Sequence, residues 1–143
     1  MLHPPSITPA VLESSVDERN MIQLSLSGDL GPKQMDDFVA WTAKIKKSMV
    51  EVDTLQHGRV LSLIDISRLN SFSMELLAPL QEVMHFNAPY ATKTAVYGPN
   101  LLISTILRST IVLTHRTNMK IFGNREDALA WLLADEATPH LSV

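Results

Sequence analysis

Polar side chains that could do chemistry follow the apolar segments of this sequence. Carboxylates act as general acids or bases, serine hydroxyls accept phosphoryl groups, and arginine binds anions. Ligands of open α/β sheets bind beyond the carboxyl ends of the strands, so we expect these side chains to meet at one sheet edge, beside the loop 28–31. The candidate ligand-binding residues are Asp65, Ser67, Arg68, Asn70, Ser71, Ser73 and Asn100.

The same side chains suit ordinary structural roles, which we favour for the edge as a whole. Ser73 and Asn100 are good helix N-caps, and Asp29 fits a turn. Asp65 ends an apolar strand, so its carboxylate must be exposed, paired or protonated. We favour pairing of Asp65 with Arg68 or with loop N–H groups over a catalytic role.

No complete catalytic site is predicted, and we expect a protein that is not an enzyme. The alternative is hydrolytic or transfer activity around Asp65, which would require an open cleft, a raised pKa and a second catalytic group within hydrogen-bond reach. The sequence has no cysteine, and none of its five histidines lies three or four residues from another. We therefore predict no metal site and no cofactor; a pairing of His85 with His115 through the fold is the weaker alternative.

Composition favours one soluble globular domain. Hydrophobic residues make up 45% of the 143 residues, and the formal net charge is −3 with basic residues scattered, which disfavours nucleic-acid binding. The N-terminus lacks the pattern of a signal peptide, and no apolar run reaches the roughly 18 residues of a transmembrane helix. We expect a cytoplasmic protein with an irregular lead-in (1–9), a single domain (10–135) and a C-terminal tail (136–143).

Hydrophobic periodicity gives the order β-β-α-β-α-β-α-β-α. Alternation predicts half-buried strands, a dense branched run predicts a doubly buried strand at 60–66, and apolar stripes at helical spacing predict helices. The predicted strands are 10–15, 21–27, 60–66, 93–97 and 119–122, and the predicted helices are 32–50, 73–87, 101–116 and 125–134. Strands that alternate with helices indicate an α/β fold with a mixed, mostly parallel five-stranded sheet and about four helices.

The predicted helix 101–116 is more apolar than a one-sided surface helix requires. Deep burial within the monomer is the plainest explanation, and a two-fold dimer interface is the next. An apolar ligand groove or a contact with a membrane surface also stays open. The interface candidates are Leu102, Ile103, Ile106, Leu107 and Ile111.

Two segments carry a resemblance to a known family. The segments 60–73, Val-Leu-Ser-Leu-Ile-Asp-Ile-Ser-Arg-Leu-Asn-Ser-Phe-Ser, and 120–132, Lys-Ile-Phe-Gly-Asn-Arg-Glu-Asp-Ala-Leu-Ala-Trp-Leu, resemble the SpoIIAA-like branch of the STAS superfamily. This branch is related to anti-sigma-factor antagonists, and the order of elements matches over residues 10–134. The resemblance implies a phosphorylatable serine at the start of the helix after the central strand. The family's Asp-Ser-Ser-Gly-like string is replaced here by Asn-Ser-Phe-Ser-Met at 70–74, where Ser71 or Ser73 takes a similar place.

Two functional hypotheses follow. The first is a non-enzymatic regulatory or protein-interaction module of STAS-like fold, which we expect to be homodimeric. It rests on the absence of catalytic motifs, on the apolar helix 101–116 and on the resemblance. The alternative is a carrier or sensor that binds a small apolar or anionic ligand between the helices and the sheet, since the family's architecture resembles that of lipid-carrying domains. An apolar cavity inside the fold would favour the alternative, and a solid core would remove it.

Overall fold

The computed structural model describes residues 8–134, which form one mixed sheet flanked by helices. The strands are β1 (Val11–Val16), β2 (Ile22–Leu30), β3 (Leu61–Phe72), β4 (Lys93–Tyr97) and β5 (Met119–Phe122). The helices are α1 (Met35–Leu55), α2 (Leu77–Asn87), α3 (Leu101–Leu113) and α4 (Arg125–Leu133), and 3₁₀ turns precede α1 and α2. The predicted lead-in and tail lie largely outside the described residues, so the domain boundaries stay predictions.

The sheet has five strands in the order β1-β2-β3-β4-β5. β1 pairs antiparallel with β2, and the other neighbouring strands pair in parallel. This arrangement confirms the predicted α/β class and the mixed, mostly parallel sheet. Successive right-handed crossovers that progress in one direction place their helices on the same face, so α1, α2 and α3 share one side. α4 follows the last strand and packs against β3 and β4 from the other side.

The main core lies between the sheet and helices α1 to α3. It is built on fully buried side chains such as Phe38, Ile22 and Leu76. The ring of Phe38 lies 5.6 Å from the rings of both Trp41 and Phe72, measured between centroids. A smaller apolar cluster under α4 closes the opposite face of the sheet.

β2 and β3 are longer than the sequence predicts. They were expected to end at residues 27 and 66, but they run to Leu30 and Phe72 and continue to pair with each other. The ladder absorbs two irregularities in register, and Gly28 adopts a φ of 81° beside the second. The predicted loops 28–31 and 67–73 are therefore mostly a two-stranded extension of the sheet.

The helix ends also differ from the predictions in places. α1 continues more than one turn further, to Leu55, and Val52 in the added part extends the buried stripe of the helix by one residue. Pro79 lies in the first turn of α2, where its missing N–H group costs no helical hydrogen bond. α3 ends at Leu113, three residues early, because His115 adopts a left-handed φ of 55° and the N–H of Arg116 bonds back to Ile111.

Candidate functional site

Asp65 is engaged in a local hydrogen-bonded network at the end of the strand pairing between β3 and β4. Its Oδ1 accepts hydrogen bonds from the Ser67 N–H at 2.9 Å and from the Ser67 hydroxyl at 2.6 Å. Partial burial raises the pKa of Asp65, but the hydrogen bonds from Ser67 and Tyr97 and the charge of Arg68 outweigh it and hold the pKa below its ordinary value. An acid catalyst would need the opposite shift.

Asp29 and Ser71 face each other across the extension of β2 and β3. The Ser71 hydroxyl donates to Asp29 Oδ1 at 2.7 Å, and the N–H of Thr8 donates to Asp29 Oδ2 at 2.8 Å. The hydrogen bond from Ser71 lowers the pKa of Asp29 most, and the hydrogen bond from Thr8 lowers it further. Asn70 reaches the Thr8 hydroxyl at 3.2 Å, so these side chains fasten the incoming chain to the sheet.

Asn100 and Ser73 are helix caps. Asn100 Oδ1 accepts from the N–H of Ile103 at 2.9 Å, and its Nδ2 donates to the carbonyl oxygens of Leu69 and Asn70 at 3.2 and 3.1 Å. Ser73 accepts from the N–H of Glu75 at the turn that leads into α2. The amide of Asn100 therefore joins α3 to the extended end of β3.

The structure places the predicted edge residues in two hydrogen-bonded groups, and their role as ligand-binding residues stays a prediction. Asp65 and Ser67 form one group with Arg68 close enough to act on the carboxylate, while Asn70, Ser71 and Asn100 lie along the extension of β3. The side chains of Ser67 and Arg68 are exposed. None of the seven candidates lines the cavity of the main core.

An apolar cavity of about 90 Å³ lies inside the main core, between the sheet and helices α1, α2 and α3, and it is partly open. Its wall combines strand residues on β2, β3, β4 and β5 with residues from helices α1, α2 and α3. The apolar lining comprises Leu24, Leu26, Trp41, Ile45, Met49, Ile64, Ile66, Leu69, Phe72, Leu80, Val83, Met84, Val96, Ile103, Ile106, Leu107 and Met119. Four polar residues complete the wall: Ser62, Asn87, Thr94 and Arg116.

Arg116 is the charged member of the cavity wall and is 5% exposed. Its guanidinium donates to Asn118 Oδ1 at 3.0 Å, to the Met84 carbonyl at 3.3 Å and to the Thr94 hydroxyl at 2.9 Å. Burial lowers the pKa of Arg116 to about 10, so the side chain keeps its charge at neutral pH. Within residues 8–134, no carboxylate pairs with it.

Two further groups make the polar end of the cavity. The Ser62 and Thr94 hydroxyls share a buried hydrogen bond of 2.8 Å, which connects β3 with β4. Asn87, the last residue of α2, is 7% exposed, and its Oδ1 is buried without a hydrogen-bond partner among the described residues. An unpaired charge and an unpartnered amide oxygen are both costly in an apolar interior.

Sequence reasoning missed Arg116 and Asn87 as site residues. Arg116 was expected to end a helix, and Asn87 was expected to be only a helix terminus. The left-handed turn at His115 redirects the chain so that Arg116 packs inward. Helices that end in a left-handed residue usually have glycine there, so His115 gives no sequence signal for this turn. The one available signal is the charge of Arg116 next to an apolar helix.

α3 divides the interface candidates between the interior and the surface. Ile103 and Leu107 are 4% and 8% exposed and belong to the core, so the prediction that they form a contact surface is wrong for the folded monomer. Ile106 lines the cavity, and Ile111 packs against the core. Leu102 is 62% exposed and alone among the five stays available for a contact.

No group of three or more His, Cys, Asp or Glu residues within the described range is placed to hold a metal ion. His85 and His115, the pair considered from the sequence, are both exposed. No helix in residues 8–134 is both long enough and apolar enough to cross a membrane.

The family model SpoIIAA-like matches residues 21–133 of the chain. The chain belongs to the SpoIIAA-like family. Solved structures agree on the fold. An uncharacterised protein from Shewanella loihica with a SpoIIAA-like fold matches with a TM-score of 0.58 at 17% identity, covering 92% of this chain and 99% of its own.

The Bacillus cell fate determinant SpoIIAA, in its phosphorylated form, also has the SpoIIAA-like fold seen here. It matches with a TM-score of 0.58 at 15% identity, over 85% of this chain and 99% of its own. No curated protein matches the chain in sequence. Together with the family model, these likenesses confirm the STAS-superfamily resemblance carried by the segments 60–73 and 120–132.

The two phosphorylation candidates, Ser71 and Ser73, lie in different elements of the fold. Ser73 directly precedes the turn into α2 and caps it, whereas Ser71 lies within β3 and its hydroxyl is bonded to Asp29. Of the two, Ser73 therefore occupies the start of the helix. Phosphorylation at either serine stays a prediction.

Proposed function

We propose that this SpoIIAA-like protein is a non-enzymatic regulatory module that senses or carries a small, largely apolar ligand in the cavity of its main core. The cavity carries the proposal, because a close-packed interior would have left no room for a ligand. Its wall draws on three helices and four strands, so an occupant would contact most of the elements that hold the main core together.

The polar edge supports a role without catalysis. Its side chains are occupied in caps, turns and cross-strand bonds, as with Asn100, Ser73 and Ser71. The pKa of Asp65 is lowered, whereas activity as a general acid would favour a raised one. Catalysis around Asp65 therefore has no support from the pKa of its carboxyl group.

Xenon tests whether the cavity accepts an apolar guest, because xenon enters dry apolar cavities without hydrogen bonds. We expect amide NMR signals of cavity residues to shift saturably as the xenon pressure rises. Ile106→Phe places a larger side chain in the cavity wall and should abolish these shifts. Leu102→Phe, at an exposed site on the same helix, should leave them unchanged. Two results would contradict ligand binding in the cavity: a wild-type protein without saturable shifts, or an Ile106→Phe variant whose shifts are as strong as those of the wild type.

A second candidate function is self-association through the exposed leucine-rich ends of α3. Leu101, Leu102, Val112 and Leu113 are between 62% and 85% exposed. Residues eleven apart on a helix lie on nearly the same face, so the two ends can meet one partner together. A cytoplasmic homodimer with protein partners is consistent with this surface. We expect sedimentation equilibrium to show a dimer that Leu102→Glu converts to a monomer, while Ala130→Glu, at an exposed site of α4 on the other side of the sheet, leaves it intact. A monomeric wild type would contradict the dimer.

A further inference from the structure

The polar end of the cavity selects the chemistry of a ligand beyond its apolar part. Arg116 is charged, buried and unpaired with any described carboxylate. A guanidinium has five N–H donors, and the hydrogen bonds of Arg116 to Asn118, Met84 and Thr94 leave two of them available. The residues that line the cavity include no aspartate or glutamate. An anion in the cavity would thus meet one positive charge and no negative one.

Asn87 provides the second, independent observation. Its amide lies in the cavity wall at the end of α2, and its buried Oδ1 has no hydrogen-bond partner within residues 8–134. Rotation about its terminal bond exchanges the oxygen for the NH₂ group, so the amide can donate to a bound oxygen as well as accept from one. Such a group buried in an apolar wall is costly unless a partner arrives.

We propose that the cavity binds a short aliphatic carboxylate, with the hydrocarbon chain against the apolar wall and the carboxylate facing Arg116 and Asn87. This inference rests on the proposed binding of a small ligand in the cavity. The volume fits a short chain, since about 90 Å³ is below the roughly 150 Å³ of an engineered cavity that holds benzene. The carboxylate accepts the spare N–H groups of Arg116 and the NH₂ of Asn87, and it supplies the missing counter-charge.

The main test compares butyrate, butan-1-ol and butylamine, which share a chain length and differ in charge. NMR titration of the wild-type protein should give saturable shifts around Asn87, Thr94 and Arg116. Butyrate should bind about tenfold or more tightly than the alcohol, because a charged hydrogen-bonded pair contributes on this scale. The amine should bind most weakly, since its ammonium group would face the guanidinium.

Variants then assign the selectivity to its residues. Arg116→Met should weaken butyrate binding about tenfold or more and leave butan-1-ol binding unchanged, whereas Arg108→Met, at an exposed arginine of α3, should change neither. Asn87→Leu has a similar size and should weaken butyrate several-fold, which gives a second readout if Arg116→Met does not fold.

The outcomes separate the two proposals. Equal affinities of the wild type for butyrate and butan-1-ol would overturn the carboxylate assignment while leaving the cavity as a ligand site. Unchanged butyrate affinity in both folded variants would also overturn it. If xenon, butan-1-ol and butyrate all fail to bind, the proposed ligand-binding function itself is overturned.

Discussion

Phe38→Ala is expected to lower the free energy of unfolding by about 3–5 kcal/mol, the usual cost of removing a buried phenylalanine ring. Phe38 is fully buried and joins α1 to β3 through the ring of Phe72, whose centroid lies 5.6 Å away. The ring of Trp41, on α1 itself, lies at the same centroid distance of 5.6 Å. Trp41 and Phe72 also line the cavity, so the void left by the ring would lie next to existing empty space. The surrounding side chains would then be poorly placed to refill it.

Urea denaturation, followed by the fluorescence of Trp41 and Trp131 together and by far-ultraviolet circular dichroism, measures this loss. Val39→Ala is the matched control, because Val39 is the next residue of α1 and is 46% exposed. We expect the control to change the free energy of unfolding by less than about 1 kcal/mol. A cost for Phe38→Ala no larger than that of Val39→Ala would show that the ring does not anchor α1 to the sheet.

The sequence predicts the elements best where local chemistry and periodicity agree. Strands β4 and β5 begin and end as expected, since Gly98-Pro99 follows one short apolar segment and Gly123 follows the other. α4 starts as predicted at Arg125 because Asn124 caps it and accepts the N–H of Asp127. These signals depend only on neighbouring residues, so a single sequence contains them.

The ends of β2 and β3 depend on contacts between distant residues. Gly28 and Asp29 have the composition of a turn, yet Asp29 stays in the strand because Ser71, forty-two residues later, lies opposite and donates to it. An ideal Cβ at position 28 would overlap the carbonyl oxygen of Pro9, so glycine here serves a close chain approach within the sheet. Composition alone cannot separate this use of glycine from a turn.

The candidate site was harder to predict than the fold for a similar reason. Ser73 and Asn100 were correctly recognised as helix caps, as their bonds to the N–H groups of Glu75 and Ile103 show, whereas Asp29 lies in a strand and not in a turn. The cavity arises from side chains on seven helices and strands, and its polar end combines residues as far apart in the chain as Ser62 and Arg116. Hydrophobic periodicity shows which face of a helix is buried, but not whether that face is filled.

Asn100→Ala is expected to lower the free energy of unfolding by about 2 kcal/mol, because one side chain performs two separate tasks. Loss of an N-cap costs about 1 kcal/mol, and the hydrogen bonds of Nδ2 to the carbonyl oxygens of Leu69 and Asn70 add a similar amount, reduced by their partial exposure. Asn124 offers a matched control, since it caps α4 without bonding to another strand. Asn124→Ala should therefore cost about 1 kcal/mol.

Asn100→Asp separates the two tasks of Asn100. The aspartate keeps an oxygen that accepts a hydrogen bond from the N–H of Ile103, and its negative charge interacts favourably with the positive end of the helix dipole. It has no N–H group to donate to the carbonyl oxygens of β3. We expect its cost to fall between those of the wild type and Asn100→Ala, measured by urea denaturation at neutral pH. If Asn100→Ala costs no more than Asn124→Ala, the bonds to β3 contribute no stability. If Asn100→Ala leaves the free energy of unfolding unchanged but alters the affinity for butyrate, Asn100 is a ligand-binding residue rather than the structural link between α3 and β3.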